Sequence, residues 1–132
     1  MTFVVADTST WVRRAQRAVA ELLGEAIERN EIAMVLPVKL ELLRSARDAR
    51  QFQEEAQGYD ALRQIELTPR IGRRAASVQA ALAARGCHRG PSPSDLLTAA
   101  AAEAAGAELW HCDRDFELIA EVTGQPQRRV GE

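Results

Sequence analysis

Five carboxylates in this sequence stand where an α/β chain collects its chemistry. Asp7 directly follows the apolar run Phe3-Val4-Val5-Ala6, Asp113 follows the run containing Leu109-Trp110, and Asp115 lies two residues further on. Glu41 lies one turn beyond Pro37, away from the apolar positions Val38 and Leu42 by helical spacing, and Asp95 opens an alanine-rich stretch. In a parallel sheet, ligand and catalytic groups gather at the carboxyl ends of strands and in the first turns of the helices that follow, so all five acids can face one edge. Carboxylates converging there repel one another unless something cationic lies among them. Hard oxygen donors of this kind suit Mg²⁺ or Mn²⁺. A cation so held activates water and neutralises charge on a phosphate, which is what phosphodiester hydrolysis requires without a serine or cysteine nucleophile. Each acid also has a structural use: Asp7 and Asp113 as helix N-caps, Asp95 and Asp115 as first-turn acids, Glu41 as a solvated surface residue.

The elements that must position these acids alternate along the chain. A strand at Phe3 to Ala6 precedes the capping residues Asp7-Thr8-Ser9 and an amphipathic helix expected from Trp11 to Arg29. A second strand, Ile32 to Leu36, ends at Pro37, which suits the first turn of a helix carrying Leu40, Leu42 and Leu43. Helical spacing runs from Arg50 to Leu62, a short strand is expected at Ile65 to Leu67, and Thr68-Pro69 opens a helix toward its stop at Gly86. The loop Cys87 to Ser94 leads to a helix from Asp95 to Ala105, with Ser94 expected as its cap. A strand at Glu108 to His111, a helix from Asp113 to Val122 and a final edge strand at Gln127 to Val130 complete the pattern. Alternating strands and helices imply one α/β domain over residues 1–132, with a mainly parallel sheet and helices on both faces.

Composition narrows the function classes. No apolar run approaches the roughly 18 to 20 residues of a membrane-spanning helix. The start of the chain lacks the basic region and cleavage site of a signal peptide, and two cysteines, Cys87 and Cys112, are too few for a disulfide scaffold. A reduced, cytoplasmic protein is expected. The net charge of −2 argues against a generic polyanion binder, but 16 of the 17 basic residues are arginines, grouped as Arg13-Arg14-Arg17, Arg44-Arg47-Arg50, Arg70-Arg73-Arg74, Arg85-Arg89 and Arg128-Arg129. These groups are either phosphate contacts or solvated helix faces. Cys87-His88 and His111-Cys112 raise a zinc site as an alternative, opposed by the strand geometry that points His111 and Cys112 to opposite faces. Phosphatases with an aspartate after their first strand are a second alternative, but Ser9 stands where they need another acid, and Lys39 is the sole lysine.

Four segments in order, Val4-Val5-Ala6-Asp7-Thr8-Ser9, Leu36-Pro37-Val38-Lys39-Leu40-Glu41-Leu42-Leu43, Ser94-Asp95-Leu96-Leu97-Thr98-Ala99-Ala100-Ala101 and Asp113-Arg114-Asp115-Phe116, resemble the motifs of PIN-domain ribonucleases. The following Ile119-Ala120-Glu121-Val122-Thr123-Gly124 resembles the VapC type, the toxin half of bacterial toxin–antitoxin pairs. The resemblance spans essentially the whole chain. It implies a PIN-like sheet of four or five strands and a metal-dependent endoribonuclease that inhibits translation until a VapB-type antitoxin neutralises it. Asp7, Glu41, Asp95 and Asp113 become the core acids, Asp115 an assisting one, with Mg²⁺ or Mn²⁺ held by Asp7, Asp95, Asp113 and Asp115. Thr8 or Ser9 would orient Asp7. RNA is the implied substrate and a homodimer the implied assembly, without a membrane partner. His111 departs from the small hydroxyl residue that often stands two before Asp113, which puts one supporting hydrogen bond in question. A catalytically silent PIN fold that only scaffolds a partner is the remaining alternative. Trp11, Val12, Leu22 and Leu23 are a candidate partner surface, and Arg85 and Arg89, beside the loop His88 to Pro93, are candidate RNA contacts.

Overall fold

The computed structural model describes residues 2–132. Its strands are β1 (Val4–Ala6), β2 (Ile32–Val35), β3 (Arg63–Ile65), β4 (Glu108–His111) and β5 (Gln127–Arg129), and every pairing among them is parallel. The helices are α1 (Thr8–Trp11), α2 (Arg17–Glu28), α3 (Leu36–Arg44), α4 (Ala49–Asp60), α5 (Pro69–Ala84), α6 (Pro93–Ala104) and α7 (Arg114–Thr123). The strand order is β3-β2-β1-β4-β5.

All residues of β1 and all of β2 are buried, although neighbours along a strand point to opposite faces. Both faces of the sheet centre are therefore covered, which is why these segments read as continuous apolar runs rather than alternating ones. Each fully buried aliphatic side chain, such as Val5 or Leu109, contributes roughly 1.5 to 3 kcal/mol. The edge strands read differently: Arg63 and Gln64 of β3 and Arg128 and Arg129 of β5 are exposed. Helices α5, α6 and α7 pack on one another, while α3 contacts α4 and α6.

The strand order reverses beside β1. The chain steps from β1 to β2 to β3 on one side, then crosses to place β4 and β5 on the other. Such a reversal leaves a crevice at the carboxyl ends of the two central strands, because the connections leave in opposite directions. Asp7 and Asp113 follow β1 and β4, so the topology sets both at that crevice.

Two expected elements differ. The helix expected from Trp11 to Arg29 is two helices, broken at residues 12–16, with Gln16 extended as the N-cap of α2. No glycine or proline lies in the break; the side chains of Arg13 and Gln16 there both bond to Glu132, at the far end of the chain. The cap of α6 is Ser92, not Ser94. Ser92 Oγ accepts the Asp95 N–H (3.1 Å), and Asp95 Oδ2 accepts the Ser92 N–H (2.9 Å), a reciprocal capping box with Pro93 in the first turn. The helix thus starts two residues early and puts Ser94 inside its first turn. Strand β3 starts and ends two residues before its expected span, β4 keeps its expected bounds, and the remaining boundaries agree to within two residues.

Candidate metal centre

Helix starts supply most of the site. Asp113 caps α7, with Oδ1 accepting the Asp115 N–H (2.9 Å), and Asp115 stands in the first turn beyond it. Asp95 is fixed by its capping box at the start of α6. One carboxylate oxygen from each of Asp95, Asp113 and Asp115 falls within 4.8 Å of the others, and among the described residues this trio is the sole group of three or more potential metal ligands. The zinc alternative does not assemble: Cys87 Sγ lies against the Arg85 carbonyl, and His111 Nδ1 is engaged elsewhere.

Asp7 is buried at 4% exposure and caps α1. Its Oδ2 accepts both the Ser9 N–H (2.9 Å) and the Ser9 hydroxyl (2.7 Å). Ser9 Oγ in turn accepts the Cys112 N–H (2.9 Å), so one serine ties the end of β1 to the end of β4. Of the two residues expected to orient Asp7, Ser9 does so with its side chain; the buried Thr8 hydroxyl meets no partner among the described residues. Burial raises the Asp7 pKa, the Ser9 bonds oppose the rise, and the Glu41 charge adds to it.

Asp95 is pushed up to about 6, first by burial, with the Asp7 and Asp113 charges adding and the Ser92 bonds opposing. Asp115 is raised by burial and by Asp113, with Arg114 opposing. Glu41 is exposed on α3 and accepts a hydrogen bond from the Ser94 hydroxyl, which links α3 to the start of α6. The five acids therefore form a tight trio, a buried carboxylate whose charge reaches Asp95, and a glutamate whose charge reaches Asp7. The donor set fits a hard divalent cation: every candidate ligand is a carboxylate, and the mutual repulsion written into Asp95 and Asp115 is what such an ion relieves.

Two further features shape the site: His111, which the sequence marks as a departure without showing its role, and Gly90, which the sequence does not mark. His111, buried at 2% exposure, accepts the Asp113 N–H on Nδ1 (3.2 Å). Burial lowers its pKa from the ordinary value, which favours the neutral ring, and a neutral ring has one nitrogen that can accept. The bond that a small hydroxyl would make is thus replaced rather than lost. Gly90, in the loop before α6, approaches Asp115 so closely that a Cβ there would lie 3.0 Å from Oδ1. Trp11 is not part of an exposed partner surface: it is buried edge-on against Tyr59, ring centres 5.9 Å apart, and Leu23 is buried too. Of the four surface candidates only Val12 is strongly exposed.

A five-stranded parallel sheet with acids converging at its reversal point defines a known class. The family model described as PIN domain matches residues 4–122, and the chain belongs to that family. Its full-length relatives place it among the VapC members. Ribonuclease VapC2 of Mycobacterium tuberculosis strain CDC 1551 is 41% identical over 128 residues, covering 94% of this chain and 89% of its own. Ribonuclease VapC18 of strain H37Rv is 38% identical over 128 residues, covering 96% and 93%. The solved structure of DNA-bound VapBC from Salmonella typhimurium matches over 98% of both chains with a TM-score of 0.79 at 18% identity, a likeness of fold.

Proposed function

We propose that this chain is a cytoplasmic, Mg²⁺- or Mn²⁺-dependent endoribonuclease that inhibits translation until a VapB-type antitoxin neutralises it. The observation that carries the reading is the carboxylate trio Asp95, Asp113 and Asp115 at the crevice between β1 and β4, with Asp7 buried beside it. Relatives that bear the name ribonuclease over nearly the whole length support the reaction class.

A divalent cation bound there supplies charge neutralisation at the phosphate and Lewis acidity toward water. The chain's own residues do the rest. Asp95, Asp113 and Asp115 would hold the cation, with Asp7 completing the set from the β1 side. Ser9 fixes the direction of Asp7, His111 and the capping bonds fix Asp113, and Ser92 fixes Asp95. Glu41, outside the trio and open to solvent, would accept a proton from water.

An apolar groove of about 320 Å³ opens beside Glu41 and Ser94, lined by Leu36, Pro37, Leu40, Leu67 and Leu97. An antitoxin segment with apolar side chains followed by a cationic one fits that sequence of surfaces. No helix among the described residues is long and apolar enough to cross a membrane.

The deciding experiment incubates purified, antitoxin-free protein with structured RNAs and Mn²⁺ or Mg²⁺, with EDTA and Asp7→Asn as controls. Cleavage is expected only with metal and intact Asp7. A folded protein that binds no metal and cuts no RNA would be a scaffold instead.

A further inference from the structure

The last three residues make contacts that the proposed chemistry leaves unexplained. Beyond β5, the Val130 N–H donates to the His111 carbonyl (2.7 Å), and the Val130 carbonyl accepts the hydroxyl of buried Thr10 (3.2 Å). Gly131 then turns with φ +110°, in the region that favours glycine. Glu132 pairs reciprocally with the Gln16 side chain, its N–H donating to Oε1 and its carbonyl accepting Nε2, both at 3.1 Å. The same carbonyl accepts Arg13 Nε at 3.0 Å. Arg13 reaches the other way with Nη1, donating to the Ser9 carbonyl at 2.5 Å. Ser9 is the residue that donates twice to Asp7.

These bonds form a continuous line from the tail through Arg13 to the serine that aims Asp7. They also run through the break between α1 and α2, where Arg13 and Gln16 both lie and both bond to Glu132. Gly131 sits against the line: a Cβ there would lie 2.7 Å from Arg13 Cδ and 3.5 Å from Val19 Cγ2. A tail that merely closed the core would need Val130, which is 3% exposed, but not a guanidinium spanning Glu132 and Ser9.

We infer that residues 130–132 act through Arg13 to position Ser9, and through it Asp7, for metal binding. Arg13 and Gly131 are positioning residues that touch neither cation nor substrate. The inference rests on the metal-dependent reading of the site, and the two can fail separately.

The test measures Mn²⁺ binding by calorimetry on the full chain, well below every unfolding midpoint, with thermal unfolding in parallel. Arg13→Ala is expected to weaken Mn²⁺ binding by about tenfold, the low end of the loss seen when partners of metal ligands are removed. Gly131→Ala should act in the same direction, and Gln16→Ala releases Glu132 without an added methyl if the glycine variant does not fold. The double variant Arg13→Ala/Gly131→Ala should be no worse than Arg13→Ala, because the methyl acts through the guanidinium. Arg17→Ala, an exposed residue paired with Glu21, should bind Mn²⁺ as the unaltered chain does. Lower unfolding midpoints with unchanged Mn²⁺ affinity overturn the inference, and additive losses in the double variant overturn the route through Arg13. If the unaltered chain binds no Mn²⁺, the metal reading itself fails and this inference goes with it.

Discussion

Asp95 is the carboxyl whose surroundings are most at odds with its charge. Burial is the first cause, the neighbouring Asp7 and Asp113 add to it, and together they hold its pKa at about 6 against an ordinary 3.8. Between those values the cation-free folded chain binds more protons than the unfolded one, so this group's contribution to stability is complete below pH 3.8 and is lost as pH rises through 6. A carboxylate held low by partners would act in the opposite sense. Asp95→Asn keeps an oxygen to accept the Ser92 N–H but carries no charge. In EDTA at pH 7 the variant should therefore unfold at a higher temperature than the unaltered chain, by about 4 °C for each kcal/mol relieved in a chain of this size. The difference should shrink toward pH 4. Added Mn²⁺ should raise the midpoint of the unaltered chain and leave the variant where it was. Thermal unfolding at three pH values, with and without Mn²⁺, checks all of this; a variant no more stable at pH 7 and still shifted by Mn²⁺ would remove Asp95 from the ligand set.

At the scale of elements, the site is built from loop-to-helix junctions, and the one before α6 does two separable jobs. The backbone of Gly90 lies against Asp115 Oδ1 and against Leu118, where a Cβ would come within 3.2 Å of Cδ1. Its neighbour Arg89 is exposed. Gly90→Val should push the Asp115 carboxylate aside and weaken Mn²⁺ binding. Arg89→Glu should leave Mn²⁺ binding intact and weaken binding of single-stranded RNA, flattening its salt dependence by about one counterion for each phosphate the arginine no longer neutralises. Binding isotherms at several salt concentrations in an Asp7→Asn background separate the two, and unchanged RNA affinity would take Arg89 off the substrate path. Much of this junction chemistry is readable in the sequence. Asp7, Asp95 and Asp113 can be placed because each follows a strong strand signal or opens a helix, and the spacing of Ser92 and Asp95 with Pro93 between them spells a capping box that Ser94 obscures. The break at residues 12–16 cannot be read. Its local sequence is helical in pattern, and the partner of its Arg13 and Gln16 lies more than a hundred residues away. His111 is visible as an anomaly, but that a ring nitrogen can take the place of a hydroxyl depends on the turn from β4 into α7.

For the molecule as a whole, the distribution of apolar surface bears on how a nuclease of this kind is kept silent. The buried core accounts for the strand and helix faces, yet Leu36 and Leu40 remain 49% and 58% exposed and, with Leu67, border the groove that ends at Glu41 and Ser94. Two large leucines one helical turn apart beside an acidic crevice are costly on a solitary chain and favourable under a partner. An antitoxin segment that laid apolar side chains along α3 and a cation toward the carboxylates would satisfy both surfaces at once and, so seated, would stand in the way of RNA. Burying one large aliphatic side chain contributes roughly 1.5 to 3 kcal/mol, or about ten- to a hundredfold in affinity. Leu40→Glu should thus weaken the cognate antitoxin by at least about tenfold. Because Leu40 is exposed, the fold should be little disturbed and metal-dependent cleavage by the free toxin retained. The readout is the antitoxin concentration that halves cleavage, measured beside the unfolding midpoint. An unchanged inhibitory concentration would show that the antitoxin docks elsewhere. A variant that instead loses self-association while keeping its response to antitoxin would assign this face to pairing between copies of the toxin.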